Sequence, residues 1–211
     1  PGFLGFGPST FTWFKGLERH NEKAWFDANR KTFEAEIRGP LSALLDEFAS
    51  RHGGKVKIFR LNRDVRFSKD KSPYKTNNAG FISRDGALGF YASVSSAGMQ
   101  CGAGVYDPSK ERLAALRAAI ADDETGPELE AALDIARAAG VEVRGAAVAT
   151  APRGYAKDHP RIALLRLKQI FLSRQLGPTE TLDGRRPFDF ALETWKATAP
   201  ARDWLEAHAP A

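Results

Sequence analysis

Residues 88–106, LGFYASVSSAGMQCGAGVY, alternate with a period of two. Leu88, Phe90, Ala92 and Val94 are interleaved with Gly89, Tyr91, Ser93 and Ser95, and Met99, Cys101, Ala103 and Val105 with Gln100, Gly102, Gly104 and Tyr106. Successive side chains of a strand point to opposite faces, so this pattern predicts two strands sharing one apolar face. The other face is small and polar apart from two tyrosines, which lets a helix, a backbone segment or a ligand approach closely. Residues 78–83 predict a third strand, joined to Leu88 through Arg84-Asp85-Gly86, a good hairpin turn. Short connections between neighbouring strands imply an antiparallel meander.

Upstream, residues 59–67 show the same period. Phe59, Leu61, Val65 and Phe67 are apolar and Arg60, Asn62, Asp64 and Arg66 polar, which predicts a further strand. Arg63 falls on the apolar parity. Either the strand bends there, or the guanidinium is at least half-buried with a carboxylate partner, whose orphaning by Arg63→Ala would cost roughly 3 kcal/mol.

Helical spacing governs the flanks. Ser9 or Thr10 suits the cap of a helix with Phe11, Phe14 and Leu17, and Asn21 the cap of one with Trp25, Phe26, Phe33 and Ile37. Gly39-Pro40 is expected to break that helix and start another with Leu41, Leu44, Leu45 and Phe48. Asp107-Pro108 predicts a helix start, residues 127–139 a second helix, 141–143 and 169–172 short strands, and 160–165 a short helix. Residues 177–187 read as loop, and Phe188, Leu192, Trp195, Trp204 and Leu205 lie on C-terminal helices. Helices around a run of strands predict an α+β fold, a mostly antiparallel sheet with N-terminal helices and further helices on its faces. At 211 residues the chain is long enough for one domain, 1–211.

Charge is unevenly placed. Residues 55–75 hold Lys55, Lys57, Arg60, Arg63, Arg66, Lys69, Lys71 and Lys75 against Asp64 and Asp70, or 8 − 2 = +6, while the whole chain carries +5. The remainder therefore sums to 5 − 6 = −1. A coat for long nucleic acid needs a longer positive track, because affinity grows with the phosphates neutralised. A compact patch suits an anionic small molecule, a short nucleic-acid contact or an acidic partner. The single cysteine, Cys101, excludes an internal disulfide and a cysteine-rich zinc site, and suits a reducing, cytoplasmic setting. No apolar run reaches membrane-spanning length, and the first residues do not read as a signal peptide.

Phosphate-binding glycine loops, a GxSxG elbow and an HExxH pair are missing, and His20, His52, His159 and His208 lack metal-site spacing. The cofactor, if any, is unknown from the sequence. The stretch RDVRFSKDKSPYK, residues 63–75, is the strongest candidate. Arginine offers carboxylate or phosphate a planar fork and lysine a mobile charge. An anion site would use Arg63, Arg66, Lys71 and Lys75, with Tyr74 and Tyr91 lining it. Three other readings stand beside it: a structural ion-pair knot, a phosphoester-directed enzyme using Asp64, Asp70 or Asp158 with a metal or with His159 as base, and a module for an acidic protein partner. Arg153–Arg161, with Arg166 and Lys168 beyond, forms a second, weaker basic patch.

LERHNEKAWFDANRKTFE, RDVRFSKDKSPYKTN, GFYASVS, GAGVYDPSKERLAALRAAI and PRGYAKDHPRIALLRLK occur in this order. Together they resemble a family of bacterial and fungal proteins built on a domain of unknown function and marked by an R-D-x-R-F-S-x-D-K-x-P-Y-K signature. The resemblance covers nearly the whole chain. It implies one domain over that length and transfers no catalytic residue.

Overall fold

The aromatic N-terminal third folds as helices. In a computed structural model, which describes residues 2–66, 69–83 and 88–208, α1 spans Thr10–Arg19 and α2 spans Lys23–Thr32. The break expected at Gly39-Pro40 does not occur. α2 passes through a π-helical turn, Phe33–Arg38, directly into α3, Gly39–His52. Pro40 has no N–H and its ring crowds the carbonyl four residues back, that of Glu36. The wider turn sends the Gly39 N–H to the Glu34 carbonyl. The Glu36 carbonyl instead accepts from Gly7 N–H at 3.0 Å and from the Thr10 hydroxyl at 3.2 Å. Gly7 is required for this approach, since a Cβ there would lie 2.3 Å from Glu36 Cγ. The Glu36 carboxylate accepts from Ser9 N–H at 2.7 Å, so α1 is capped by Glu36 rather than by the Ser9 side chain.

Six strands follow: β1 (Lys55–Ile58), β2 (Asn77–Ser83), β3 (Leu88–Ser95), β4 (Gly98–Val105), β5 (Glu142–Arg144) and β6 (Ile170–Leu176). They form one antiparallel sheet in the order β1-β2-β3-β4-β6-β5, and the fold is α+β. The expected turn at residues 84–86 lies outside the described residues, as do Phe67 and Ser68. The strand expected over 59–67 is corrected: β1 lies just before it, and its described residues pair only loosely. Phe59 N–H donates to Ala79 O, Lys75 N–H to Leu61 O, and Arg63 N–H to Pro73 O. One bridge, Asn62 to Tyr74, lies between them. Pro73 has no N–H to return to Arg63, so a regular ladder cannot continue.

The chain groups into two compact units, one from residues 1–82, 91–101 and 175–192, the other from 83–90, 102–174 and 193–211. The first has a core of Phe3, Phe14, Leu17, Phe33, Ile37, Leu41, Leu44, Leu45, Phe48 and Phe188, all nearly inaccessible. The second packs Leu88, Val105, Leu116, Ile120, Leu129, Leu133, Leu165, Ile170, Leu172 and Leu205 together. Its helices are α4 (Lys110–Ala121), α5 (Thr125–Ala138) and α6 (Ile162–Leu165). α4 starts later than Asp107-Pro108 implies, because Ser109 is its cap and accepts from Arg112 N–H. The 177–187 stretch holds α7 (Pro178–Thr181) and the start of α8 (Arg186–Ala197). α9 (Ala199–His208) lies against α5, where Trp204 Nε1 donates to Thr125 O at 2.9 Å.

On the small face of β4 Gly102 and Gly104 are buried, Gln100 is half-buried, and Tyr106 just beyond the strand is exposed. A Cβ at Gly102 would lie 2.5 Å from both Leu172 O and the Phe171 ring, and one at Gly104 2.2 Å from Ile170 O. The neighbouring strand and its aromatic ring close this face.

Candidate functional site

The described residues of 59–76 meet the N-terminal helices through Asn21 and Tyr74. Asn21 does not cap α2. Its Nδ2 donates to Tyr74 O and its Oδ1 accepts from Tyr74 N–H, each at 3.0 Å. One amide side chain thus occupies both main-chain groups of Tyr74, as a neighbouring strand would. The Tyr74 ring is 6% exposed and stacks on Phe26 with centroids 4.5 Å apart. It anchors the segment from within, where the sequence placed it among the lining groups.

The two arginines expected to grip an anion already hold carboxylates. Arg63 pairs with Asp70 at 2.8 Å, its side chain 26% exposed and Asp70 53% exposed. Arg63 also donates to Tyr74 O at 3.3 Å. The expected carboxylate partner and burial are both present. Arg66 forks onto Asp64, Nε to Oδ1 at 3.0 Å and NH2 to Oδ2 at 2.7 Å. This fork, with the Arg66 N–H, holds Asp64 below the usual carboxylate range. Asp70 is also held low, first by the Ser72 main-chain and hydroxyl donors and then by the Arg63 charge.

The lysines differ. Lys71 Nζ donates to Val65 O at 2.9 Å and Lys75 Nζ to Arg60 O at 3.3 Å. Neither forms an ion pair among the described residues. Burial pushes the Lys75 ammonium below its ordinary range, and the Arg60 and Arg63 charges push it further. Tyr91, on β3, is half-buried, and its hydroxyl accepts from Asn77 Nδ2 at 3.4 Å, two residues beyond Lys75. Phe59, which sequence reasoning did not place in the site, lies beneath the Lys57 and Lys75 ammonium groups, 5.8 and 5.9 Å from the ring centroid. Its adjacency to lysines at 57 and 75 had no local signal beyond an aromatic beside basic residues.

Asp64 and Asp70 face arginines, and among the described residues no group of three or more His, Cys, Asp or Glu is placed to hold a metal. His159 Nδ1 accepts from Arg161 N–H at 3.0 Å.

The Arg153–Arg161 patch contains one deeply structural member. Arg161 is 6% exposed and donates to Ile120 O at 2.6 Å, Ala121 O at 3.1 Å and Asp122 O at 3.0 Å, with Asp123 at 3.2 Å. It closes the C-terminal end of α4, where carbonyls have no helical partner. Arg166 Nε donates to Val148 O at 2.8 Å in the same manner.

A separate open hollow of about 650 Å³ is lined by Gly2, Gly39, Ser42, Ala43, Asp46, Glu47 and Ser50. Glu47 accepts from Phe3 N–H at 2.8 Å and from Arg185 at 2.8 and 3.1 Å. These donors, Arg185 foremost, hold its carboxyl at about 2. None of the residues predicted for the anion site lines this hollow.

No match is found among curated proteins. A family model described as a conserved hypothetical protein (DUF2461) matches residues 9–204. That span takes in both units and the whole basic segment, and the chain belongs to the DUF2461 family.

Proposed function

We propose that the basic 60–75 segment binds a phosphate-bearing or otherwise anionic ligand. The surplus of cation over carboxylate carries this reading. Of the eight cations over 55–75, Arg63 and Arg66 take Asp70 and Asp64, which leaves 8 − 2 = 6 outside the ion pairs of the described residues, Arg60 acting on Asp64 only at longer range. Like charges so close repel one another, and an incoming anion relieves that repulsion. Both ends of the segment are held, since Asn21 binds the Tyr74 main chain and the Arg63 and Lys75 N–H groups donate to Pro73 O and Leu61 O. Fixed cations lose less entropy on binding than a free tail does.

In this arrangement Lys71, Lys75 and Arg60 meet the ligand first. Arg63 and Arg66 are positioned by their aspartates and exchange them only for a stronger acceptor. Tyr91 borders the site through Asn77. The test is the Lys71→Ala, Lys75→Ala double variant, titrated with pyrophosphate by calorimetry at low and high salt. Binding that weakens with salt in the natural chain and is lost in the variant, with Tm little changed, fits the reading. Unfolding of the variant assigns the segment to structure instead, and unchanged binding moves the site elsewhere.

A further inference from the structure

We infer that the anion taken by this segment is single-stranded nucleic acid, with one base stacked on Phe59 between the Lys57 and Lys75 ammonium groups. This rests on the anion-binding reading and names its ligand. The Phe59 ring is half-buried, and two ammonium heads lie over it, 5.8 and 5.9 Å from its centroid. Lysine tips over a half-buried ring leave part of that ring within reach of a partner. When a planar base displaces those tips, the ring gains a stacking partner and the ammonium groups move outward to the flanking phosphates.

The surroundings match that chemistry. Arg60, the next residue, is exposed and has no ion pair among the described residues. β1 is the terminal strand in the sheet order, and Lys55 and Lys57 are exposed along it. A strand edge carrying alternate lysines and leading into an aromatic ring offers phosphates and bases alternate footholds. An acidic peptide would use the cations but leave the ring without a counterpart. A duplex keeps its base faces inside the stack and needs a longer cationic track than one segment with +6 on a remainder of −1.

The experiment compares oligothymidylate of about eight nucleotides with an abasic strand carrying the same number of phosphates, by fluorescence anisotropy on the natural chain. Oligothymidylate is expected to bind roughly tenfold more tightly than the abasic strand. With Lys57, Arg60 and Lys75 each meeting one phosphate, log K should fall against log salt with a slope of about −2. Phe59→Leu should erase the difference between the two strands, and Phe59→Trp should keep it. If both strands bind equally, the stacking is overturned while anion binding stands. If neither binds but pyrophosphate does, nucleic acid is the wrong ligand. Tighter binding of polyglutamate or of duplex DNA than of oligothymidylate overturns the inference equally. Failure of every anion to bind removes the proposed function itself. Should Phe59→Leu not fold, the abasic comparison on the natural chain decides alone.

Discussion

Arg161 and Arg66 lie in two segments that look alike as sequence, RGYAKDHPR and RDVRFSKDK. Arg161 is 6% exposed and spends its guanidinium on the main-chain carbonyls that end α4. Arg66 is 75% exposed and grips a carboxylate two residues before it. Removing the first takes the guanidinium donors from Ile120 O, Ala121 O and Asp122 O, whereas removing the second takes a side-chain fork from a carboxylate that is 46% exposed. Charge density alone does not separate a structural arginine from one available to a ligand. What separates them is the acceptor. Main-chain acceptors inside a unit tie the cation to the fold, and side-chain acceptors at the surface leave it open to exchange.

The contrast breaks first, and hardest, at Arg161. Arg161→Ala should destabilise the protein by about 3 kcal/mol, because the buried bond to Ile120 O and the part-buried bonds to Ala121 O and Asp122 O are lost together. Urea unfolding gives the number. A change below about 0.5 kcal/mol, the range of ordinary surface substitutions, would make Arg161 no different from Arg66.

Glu47 sharpens the contrast from the acid side. It is 12% exposed and bound by Arg185 and by Phe3 N–H. Its carboxyl is held at about 2, below the usual 4.5. A depressed carboxylate stabilises the folded state above its unfolded value, and that contribution fades as pH falls from about 4.5 toward 2. After allowance for solvent screening, about 2 kcal/mol should disappear across this window. Glu47→Gln should flatten the acid limb of a stability-against-pH curve, and an unchanged limb would remove Glu47 from the account.

Arg63 is intermediate. Its partner Asp70 is 53% exposed, so orphaning it is cheaper than the roughly 3 kcal/mol that a fully buried pair implies. Arg63→Ala should cost about 1 kcal/mol, measured by thermal or urea unfolding. A loss as large as that of Arg161→Ala would make the whole basic segment a structural knot. The smallest stability effect belongs to Lys71→Ala with Lys75→Ala, less than about 1 kcal/mol, because each ammonium group donates to one carbonyl and the contact of Lys75 with the Phe59 ring is long, 5.9 Å.

The strands at 88–106 were legible because a period of two on a buried face has no helical counterpart, and both lie within a residue of their expected limits. Gly39-Pro40 was misleading for a physical reason. A proline is tolerated inside a helix when the turn before it widens and the freed carbonyl finds other donors, and here Gly7 and Thr10 supply two from more than twenty-five residues away. Pattern reasoning within a window cannot see such partners. The same holds for Asn21, whose role as a main-chain mimic depends on Tyr74, and for Arg161, whose acceptors end a helix forty residues earlier. In the basic segment, the Arg63 carboxylate partner could be read from its parity, while the assignment of Asp70 to Arg63 and Asp64 to Arg66 required the folded backbone.

The most direct measurement is an amide NMR titration of the natural chain with pyrophosphate. The account predicts saturable shifts confined to residues 57–76 and to Asn77 and Tyr91 beside them, fading as salt is raised, with Arg161 and the end of α4 unmoved. Shifts centred on residues 153–161, or none anywhere, would contradict it.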